Sequence, residues 1–324
     1  MRNDSRDKTK VYIRADASNQ IGFGHFIRSL ALVEMLKDEF DCTFFTQEPN
    51  DFQKKEIRKV CKLTELHADD TKFNDFLNCL TGNEIVVLDN YFYTSDYEKA
   101  IKEKGCELVS IGTNDRHYYA DAVVNFTKLQ PSDFSAESYT KFCLGLEWTI
   151  LRKPFYVQRN VEKKDFVICV GGTDQFAYSE RFYDILNSHY PQELISIIAT
   201  DMIGQQRINA FKAKGVNLQL NITAEQMALQ FAQAKIAIVS ASSVAVEALS
   251  QGANVVAGHY VDNQLNIYRA LQEDEYIWGV GSFADTNVTN NIHEAVTAIE
   301  RGEMKKIFEA NNTVFRYREL FNSL

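Results

Sequence analysis

The chain has no apolar run of membrane-spanning length, no pair of cysteines two residues apart, and no excess of positive charge. Each absence closes a class. A spanning helix needs about 20 consecutive apolar residues, and none occurs. The six cysteines, Cys42, Cys61, Cys79, Cys106, Cys143 and Cys169, are scattered singly, mostly within apolar strand-like or helix-like runs, and so read as buried free thiols. A formal charge of −9 argues against a general nucleic-acid binder, which needs a basic face to displace counterions from phosphates. Also missing are a His-Glu-x-x-His or His-x-His metal pattern, a Walker-type phosphate loop, short-period repeats and low-complexity tracts. No metal and no cofactor is therefore expected. The opening MRNDSRDKTK is polar and charged, not a signal sequence, so a cytoplasmic location is expected.

What is present is 324 residues, 45% hydrophobic and 24% charged, which suits a globular protein of two ordinary domains. The organising stretch covers residues 11–35, VYIRADASNQIGFGHFIRSLALVEM. It passes from a β-branched run through a polar turn with Gly22 and Gly24 into a helical apolar pattern. A strand feeding a glycine loop and then a helix is a natural anion site, because a helix start offers unpaired N–H groups and the positive end of a dipole. The same loop presents His25 beside Asp16 and Arg28. Asp16 is placed to orient His25 as a base, and Arg28, one turn on, to meet a charged group.

Strand and helix then alternate. CTFFT, EIVVLDN, ELVSIG, AVVNF and KFCLG read as strands of the first half, and FVICVGG, LISIIAT, VNLQLNI, KIAIVSA, ANVVAGH and YIWGVG as strands of the second. Continuous apolar strands separated by helices predict parallel sheets covered on both faces. Ligand sites in such sheets lie beyond the carboxyl ends of strands, which puts Asp16, Asp89, Tyr91 and Gly112 on one rim. The pattern lapses over residues 147–165, which reads as a linker. The chain is expected to close on two helices, over 291–301 and 303–321. These readings predict an α/β protein of two doubly wound, Rossmann-like domains, 1–155 and 156–324, with the last helix able to return toward the first domain.

Four local patterns compete for the ligand. Gly22-Phe23-Gly24 begins like a dinucleotide fingerprint, but Ile27 replaces the third glycine and Thr46 stands where an acid should end the second strand, so NAD and FAD are disfavoured. Gly171-Gly172-Thr173 follows a strand and precedes a helix; taken alone, a tight turn explains it as well. Ser240-Ala241-Ser242-Ser243 between strand and helix suits both an N-cap and an anion cradle, and Glu247 one turn on suits either a vicinal diol or an incidental place on the helix. Asn263 and Gln264 reach a ligand from a helix start or form a turn.

These residues resemble a known family. RADASNQIGFGHFIRSLALVEML resembles the opening signature of the nucleotide-sugar hydrolases of pseudaminic acid biosynthesis, which act on UDP-2,4-diacetamido-2,4,6-trideoxy-β-L-altropyranose. FVICVGGTD and VSASSVAVEALSQGANVVAGHYVDNQ resemble the second half of that family, and their glycine and serine motifs are also similar to those of the UDP-N-acetylglucosamine transferases of peptidoglycan synthesis. The resemblance implies a GT-B fold with a UDP-sugar in an interdomain cleft. It implies a diphosphate near Gly171, Gly172, Thr173, Ser240, Ser242 and Ser243, and a ribose near Glu247. Asn263, Gln264, Arg14, Asp16, Gly22, Gly24, Arg28 and Tyr91 would complete the substrate contacts, with Tyr91 reaching the sugar. His25 would be the base that activates water at the anomeric carbon, with inversion and without a metal. One departure stands out: Ile111-Gly112-Thr113-Asn114 replaces the paired acids of that family, which bears on substrate identity. A GT-B glycosyltransferase using a UDP-sugar donor and a non-catalytic nucleotide-sugar binder are the alternatives. The expected partner in every case is a small molecule.

Overall fold

A computed structural model describes residues 8–18, 23–310 and 312–324. The chain divides into two compact units, residues 1–152 together with 312–324, and residues 153–311.

The first unit opens with β1 (Lys10–Arg14), α1 (Gly24–Leu36), β2 (Asp41–Gln47), α2 (Asp51–Arg58), β3 (Lys62–Leu66) and α3 (Thr71–Asn78). It continues with β4 (Glu84–Leu88), α4 (Ser95–Glu103), β5 (Glu107–Ile111), β6 (His117–Tyr118), β7 (Ala122–Asn125), β8 (Ser135–Ala136) and β9 (Lys141–Leu144). Among the described residues its main sheet runs β3-β2-β1-β4-β5-β7-β9, every pair parallel. Burial follows position: all five residues of the central β4 are buried, whereas the edge strand β3 buries one of its five. That is why IVVL, after the leading Glu84, reads as an unbroken apolar run, since helices cover both of its faces.

The second unit holds β10 (Asp165–Cys169), α5 (Tyr178–His189), β11 (Ile195–Ala199), α6 (Gln205–Ala213), β12 (Asn217–Leu220) and α7 (Ala224–Gln233). It ends with β13 (Ala234–Ser240), α8 (Ser243–Ser250), β14 (Asn254–His259), α9 (Leu265–Glu273), β15 (Trp278–Ser282) and α10 (Val288–Glu300). Its sheet runs β12-β11-β10-β13-β14-β15, again parallel throughout. Both sheets therefore start at an inner strand, build outward to one side, then cross back and build to the other. Local signals start several helices: Asn50 and Gln53 form a reciprocal capping box at α2, as do Thr223 and Gln226 at α7.

Two expectations need correcting. The helix expected over 303–321 begins only at α11 (Thr313–Asn322). Gly302 ends α10 with φ of +84°, and residues 303–310 run irregularly, with the Lys306 amide donating to the Glu275 carbonyl. EMKKIFEA has helical composition, but Met304 and Ile307 are 79% and 71% exposed while Phe308 and Ala310 are buried, so the apolar residues do not share one helical face that could pack. Instead α11 packs in the first unit, where Phe321 meets Phe40 at 5.9 Å between ring centroids and the Tyr317 hydroxyl donates to the Trp148 carbonyl at 2.7 Å. The stretch 147–165 is not a loose tether: Ile150, Leu151 and Phe155 are buried, and Arg159 donates to the Pro154 and Val157 carbonyls and to Gln251.

Cys42, Cys106, Cys143 and Cys169 are buried free thiols, Cys61 is half-buried and Cys79 is exposed. Burial pushes Cys42 and Cys143 up to about 12. Among the described residues no helix is long and apolar enough to cross a membrane.

Candidate functional site

In the first sheet the strand order reverses between β1 and β4, so the chain leaving one turns away from the chain leaving the other and a crevice opens beyond their carboxyl ends. Both edges of this crevice carry chemistry. From the β4 side comes Asp89, fully buried, and from the first turn of α1 come His25, Arg28 and Ser29. Residues three and four apart share a helix face, so all three α1 side chains meet one carboxylate. Asp89 Oδ1 lies 2.8 Å from His25 Nδ1, and Oδ2 accepts from Arg28 Nε at 2.7 Å and from the Ser29 hydroxyl at 2.9 Å. Arg28 Nη2 also donates to Oδ1.

Burial alone would raise the Asp89 carboxyl, but the Arg28 guanidinium and the hydrogen bonds from Arg28 and His25 outweigh it and hold the group far below the usual carboxylate range. Asp89 is therefore ionised and can only accept. The proton in the 2.8 Å contact must sit on His25 Nδ1, which makes Nε2 the nitrogen that carries the lone pair whenever the ring is neutral. Arg28 Nη2 is also 3.0 Å from Nδ1, but two donors cannot bond each other, so the guanidinium hydrogens belong to Asp89. No described residue exchanges a hydrogen bond with Nε2. The Tyr91 ring, 52% exposed, stands edge-on to His25 at 4.6 Å and 82°. Gly24 opens α1 with no atom within 4 Å of where a Cβ would stand, so packing does not explain its lack of a side chain.

Asp16 does not orient His25, contrary to the sequence reading. Arg14 and Asp16 lie two apart on an extended segment, hence on the same side, and form a buried two-pronged ion pair. Asp16 also accepts from the Gln47 amide at 2.8 Å, and its own amide donates to the Asn90 side chain at 2.7 Å. Both side chains are fully buried, so this pair ties β1, β2 and the β4 end together. Gly22 lies outside the described residues. Gly112, at the end of β5, leaves room for the Tyr118 hydroxyl, which donates to the Thr113 carbonyl, and its own carbonyl accepts from Asn125 at 2.7 Å.

The second sheet reverses between β10 and β13, and the two glycine and serine motifs follow these two strands. Gly171 has φ of +116°, and a Cβ there would come within 3.2 Å of the Tyr260 hydroxyl, which donates to the Val170 carbonyl. Gly172 and Thr173 are exposed. The start of α5 behind them is already filled: Asp174 accepts from the Tyr178 and Ser179 amides at 2.9 and 3.1 Å and pairs with Arg207. The start of α8 is less occupied. Ser242 caps it through a long 3.4 Å bond from the Val244 amide, the Ser240 hydroxyl is 3.2 Å from that of Ser242, and Ser243 is exposed. Glu247 is buried to 4% exposure, Gln264 is buried and accepts from the Tyr260 amide, and Asn263 is exposed. Among the described residues no group of three or more His, Cys, Asp or Glu side chains is placed to hold a metal.

No protein-family profile matches the chain. A Campylobacter jejuni protein, UDP-2,4-diacetamido-2,4,6-trideoxy-β-L-altropyranose hydrolase, is 30% identical over 270 residues, covering 79% of this chain and 93% of its own length. The chain belongs to this hydrolase family. An uncharacterized Methanocaldococcus jannaschii protein is 28% identical over 183 residues, 51% of this chain and 37% of that one. Among solved structures, Acinetobacter baumannii MurG matches with a TM-score of 0.64 at 12% identity, over 98% of this chain and all of that one. The UDP-GlcNAc 2-epimerase of Methanocaldococcus jannaschii matches at 0.61 and 10% identity, over 97% of this chain and 99% of that one. At such identities the likeness shows the fold alone, and the fold is GT-B. For this member of the hydrolase family, sequence reasoning put Asp89 on the rim without giving it a partner and missed Ser29, Asn90 and Tyr260. The one available signal was IVVL at 85–88, an apolar run that stops at the two polar residues Asp89 and Asn90.

Proposed function

We propose that this chain hydrolyses a UDP-linked 2,4-diacetamido-2,4,6-trideoxy sugar, releasing UDP and the free sugar. The observation that carries the reading is the Asp89–His25 pair, which leaves a bare Nε2 on an imidazole at the strand-end crevice of the first unit. The name of the Campylobacter relative supplies the substrate class. In the proposed reaction His25 Nε2 takes a proton from water as its oxygen bonds to the anomeric carbon. The bond from that carbon to the diphosphate oxygen breaks, and its electron pair leaves on UDP, inverting the configuration. UDP leaves well as an anion, so no second carboxylic acid is needed to protonate it, in contrast to ordinary glycoside hydrolysis. General-base assistance of this kind contributes roughly 100- to 10,000-fold.

Gly172, Thr173, Ser242, Ser243 and Asn263 are the proposed UDP contacts of the second unit, with the start of α8 offering amides to the diphosphate. Glu247 is the proposed ribose acceptor, and Tyr91 the proposed wall for the sugar. The test is incubation with UDP-linked 2,4-diacetamido sugars without any acceptor, followed by phosphorus NMR for UDP and proton NMR for the first-formed anomer. UDP released with inversion supports the reading. Release only when an acceptor is added would make the protein a transferase, and tight binding without turnover a binding protein. His25→Asn is expected to lower kcat by about 100- to 10,000-fold while UDP affinity, read by calorimetry, is kept. Full activity in that variant would remove His25 from the base role.

A further inference from the structure

We propose that Arg28 and Ser29 are positioning residues for His25: by bonding Asp89 from one side, they leave its carboxylate a single way to meet the imidazole, as acceptor of the Nδ1 proton, and so keep Nε2 as the atom that takes a proton. The inference rests on the reading of His25 as the base, but it concerns side chains that reading does not use.

Asp89 receives four donors on two oxygens: Arg28 Nε and the Ser29 hydroxyl on Oδ2, Arg28 Nη2 and His25 Nδ1 on Oδ1. All come from positions 25, 28 and 29 on one face of one helix, so the carboxylate cannot turn without breaking several bonds at once. Arg28 has two of its three guanidinium nitrogens committed to Asp89, and its flat face packs over the Phe126 ring at 5.5 Å. A guanidinium bound by two prongs and stacked is fixed in plane and angle, which a lysine ammonium cannot reproduce. Ser29 is fully buried, and its hydroxyl has the Asp89 oxygen as its acceptor.

The consequence falls on the imidazole. If Asp89 swung away or became neutral, Nδ1 would stand 3.0 Å from Arg28 Nη2 alone, and that donor would favour a lone pair at Nδ1 and a proton at Nε2. In that tautomer the atom turned toward the substrate carries a hydrogen and cannot act as a base. An orienting group that fixes the tautomer, and a second group that fixes the orienting group, act through the reacting nitrogen without touching the substrate. This places Arg28 behind the base and not against a substrate charge.

The experiment compares wild type with Arg28→Gln, Arg28→Lys and Ser29→Ala, reading kcat and KM separately and recording nitrogen-15 NMR of the His25 ring in the substrate-free protein. Wild type is expected to show a protonated Nδ1 and a bare Nε2. Arg28→Gln is expected to show a mixture of tautomers and to lose about 10- to 100-fold in kcat with KM unchanged. Arg28→Lys should recover part of both, and Ser29→Ala should move both in the same direction by less. If Arg28→Gln does not fold, the other two variants carry the comparison. A rise in KM with kcat kept would overturn the proposal and make Arg28 a substrate ligand, and an unaltered tautomer in all variants would overturn it as well. The NMR arm needs no substrate, so an intact tautomer lock in a protein that does not release UDP would sink the hydrolase reading and leave this one standing.

Discussion

Asp89 shows how one buried carboxylate serves stability and chemistry together. Its carboxyl is held far below the ordinary range, with burial opposing and Arg28 and His25 prevailing, so its contribution to folding is fully present above the unfolded-state value of about 3.9 and fades as pH falls toward the folded-state value. Asp89→Asn should therefore cost about 3–5 kcal/mol at pH 7, because Arg28 loses its charged partner in a largely buried place. At pH 3 the gap between variant and wild type should be narrower, since below about 3.9 the unfolded wild-type chain takes up a proton at Asp89 that the folded protein does not, and the carboxylate's contribution to folding shrinks. Urea denaturation at the two pH values checks both the size and the sign. The Arg14–Asp16 pair is a useful contrast: equally two-pronged, yet with both side chains fully buried, whereas Arg28 is partly exposed.

At the scale of elements, the turn between β5 and β6 requires a glycine at position 112. An alanine Cβ at position 112 would overlap the Tyr118 hydroxyl, and Tyr118 is itself fully buried beneath the Arg116 guanidinium, 4.5 Å from its ring. Gly112→Ala should thus destabilise by about 1–3 kcal/mol. The double variant Gly112→Ala, Tyr118→Phe should be less destabilised than the sum of the two singles, a coupling that thermal or urea melts of the four proteins would reveal. Strands, helices and the parallel sheets were legible in the sequence because a strand covered on both faces must be apolar along most of its length, as in the IVVL of β4 and the FVIC of β10, each entered through one acidic residue. The His25–Asp89 contact was not, because it joins residues 64 apart and no local period records it. The choice of Asp16 as the orienting acid failed for the same reason: nearness in sequence stood in for nearness in space, while the extended backbone gave Asp16 to Arg14.

At the scale of the whole molecule, the decisive feature is α11. Its Tyr317, Leu320 and Phe321 are buried in the first unit, and Arg318 donates to the Met35 carbonyl at the end of α1, the helix whose first turn carries His25. Each large apolar side chain so buried contributes about 1.5–3 kcal/mol, so removing residues 312–324 should take away much of the stability of a unit that has only about 5–15 kcal/mol to lose. Hydrogen exchange is expected to show protection collapsing in α1 and in the strands it covers, while α5 through α10 keep theirs.

Because residues 312–324 belong with residues 1–152, the second unit is an insertion bounded by two junctions, near 152 and near 311. A chimera that trades second units between relatives cannot be built by a single splice. One cut at the first junction would graft a foreign closing helix onto the native half, so the transferable cassette is 153–311, excised at both ends.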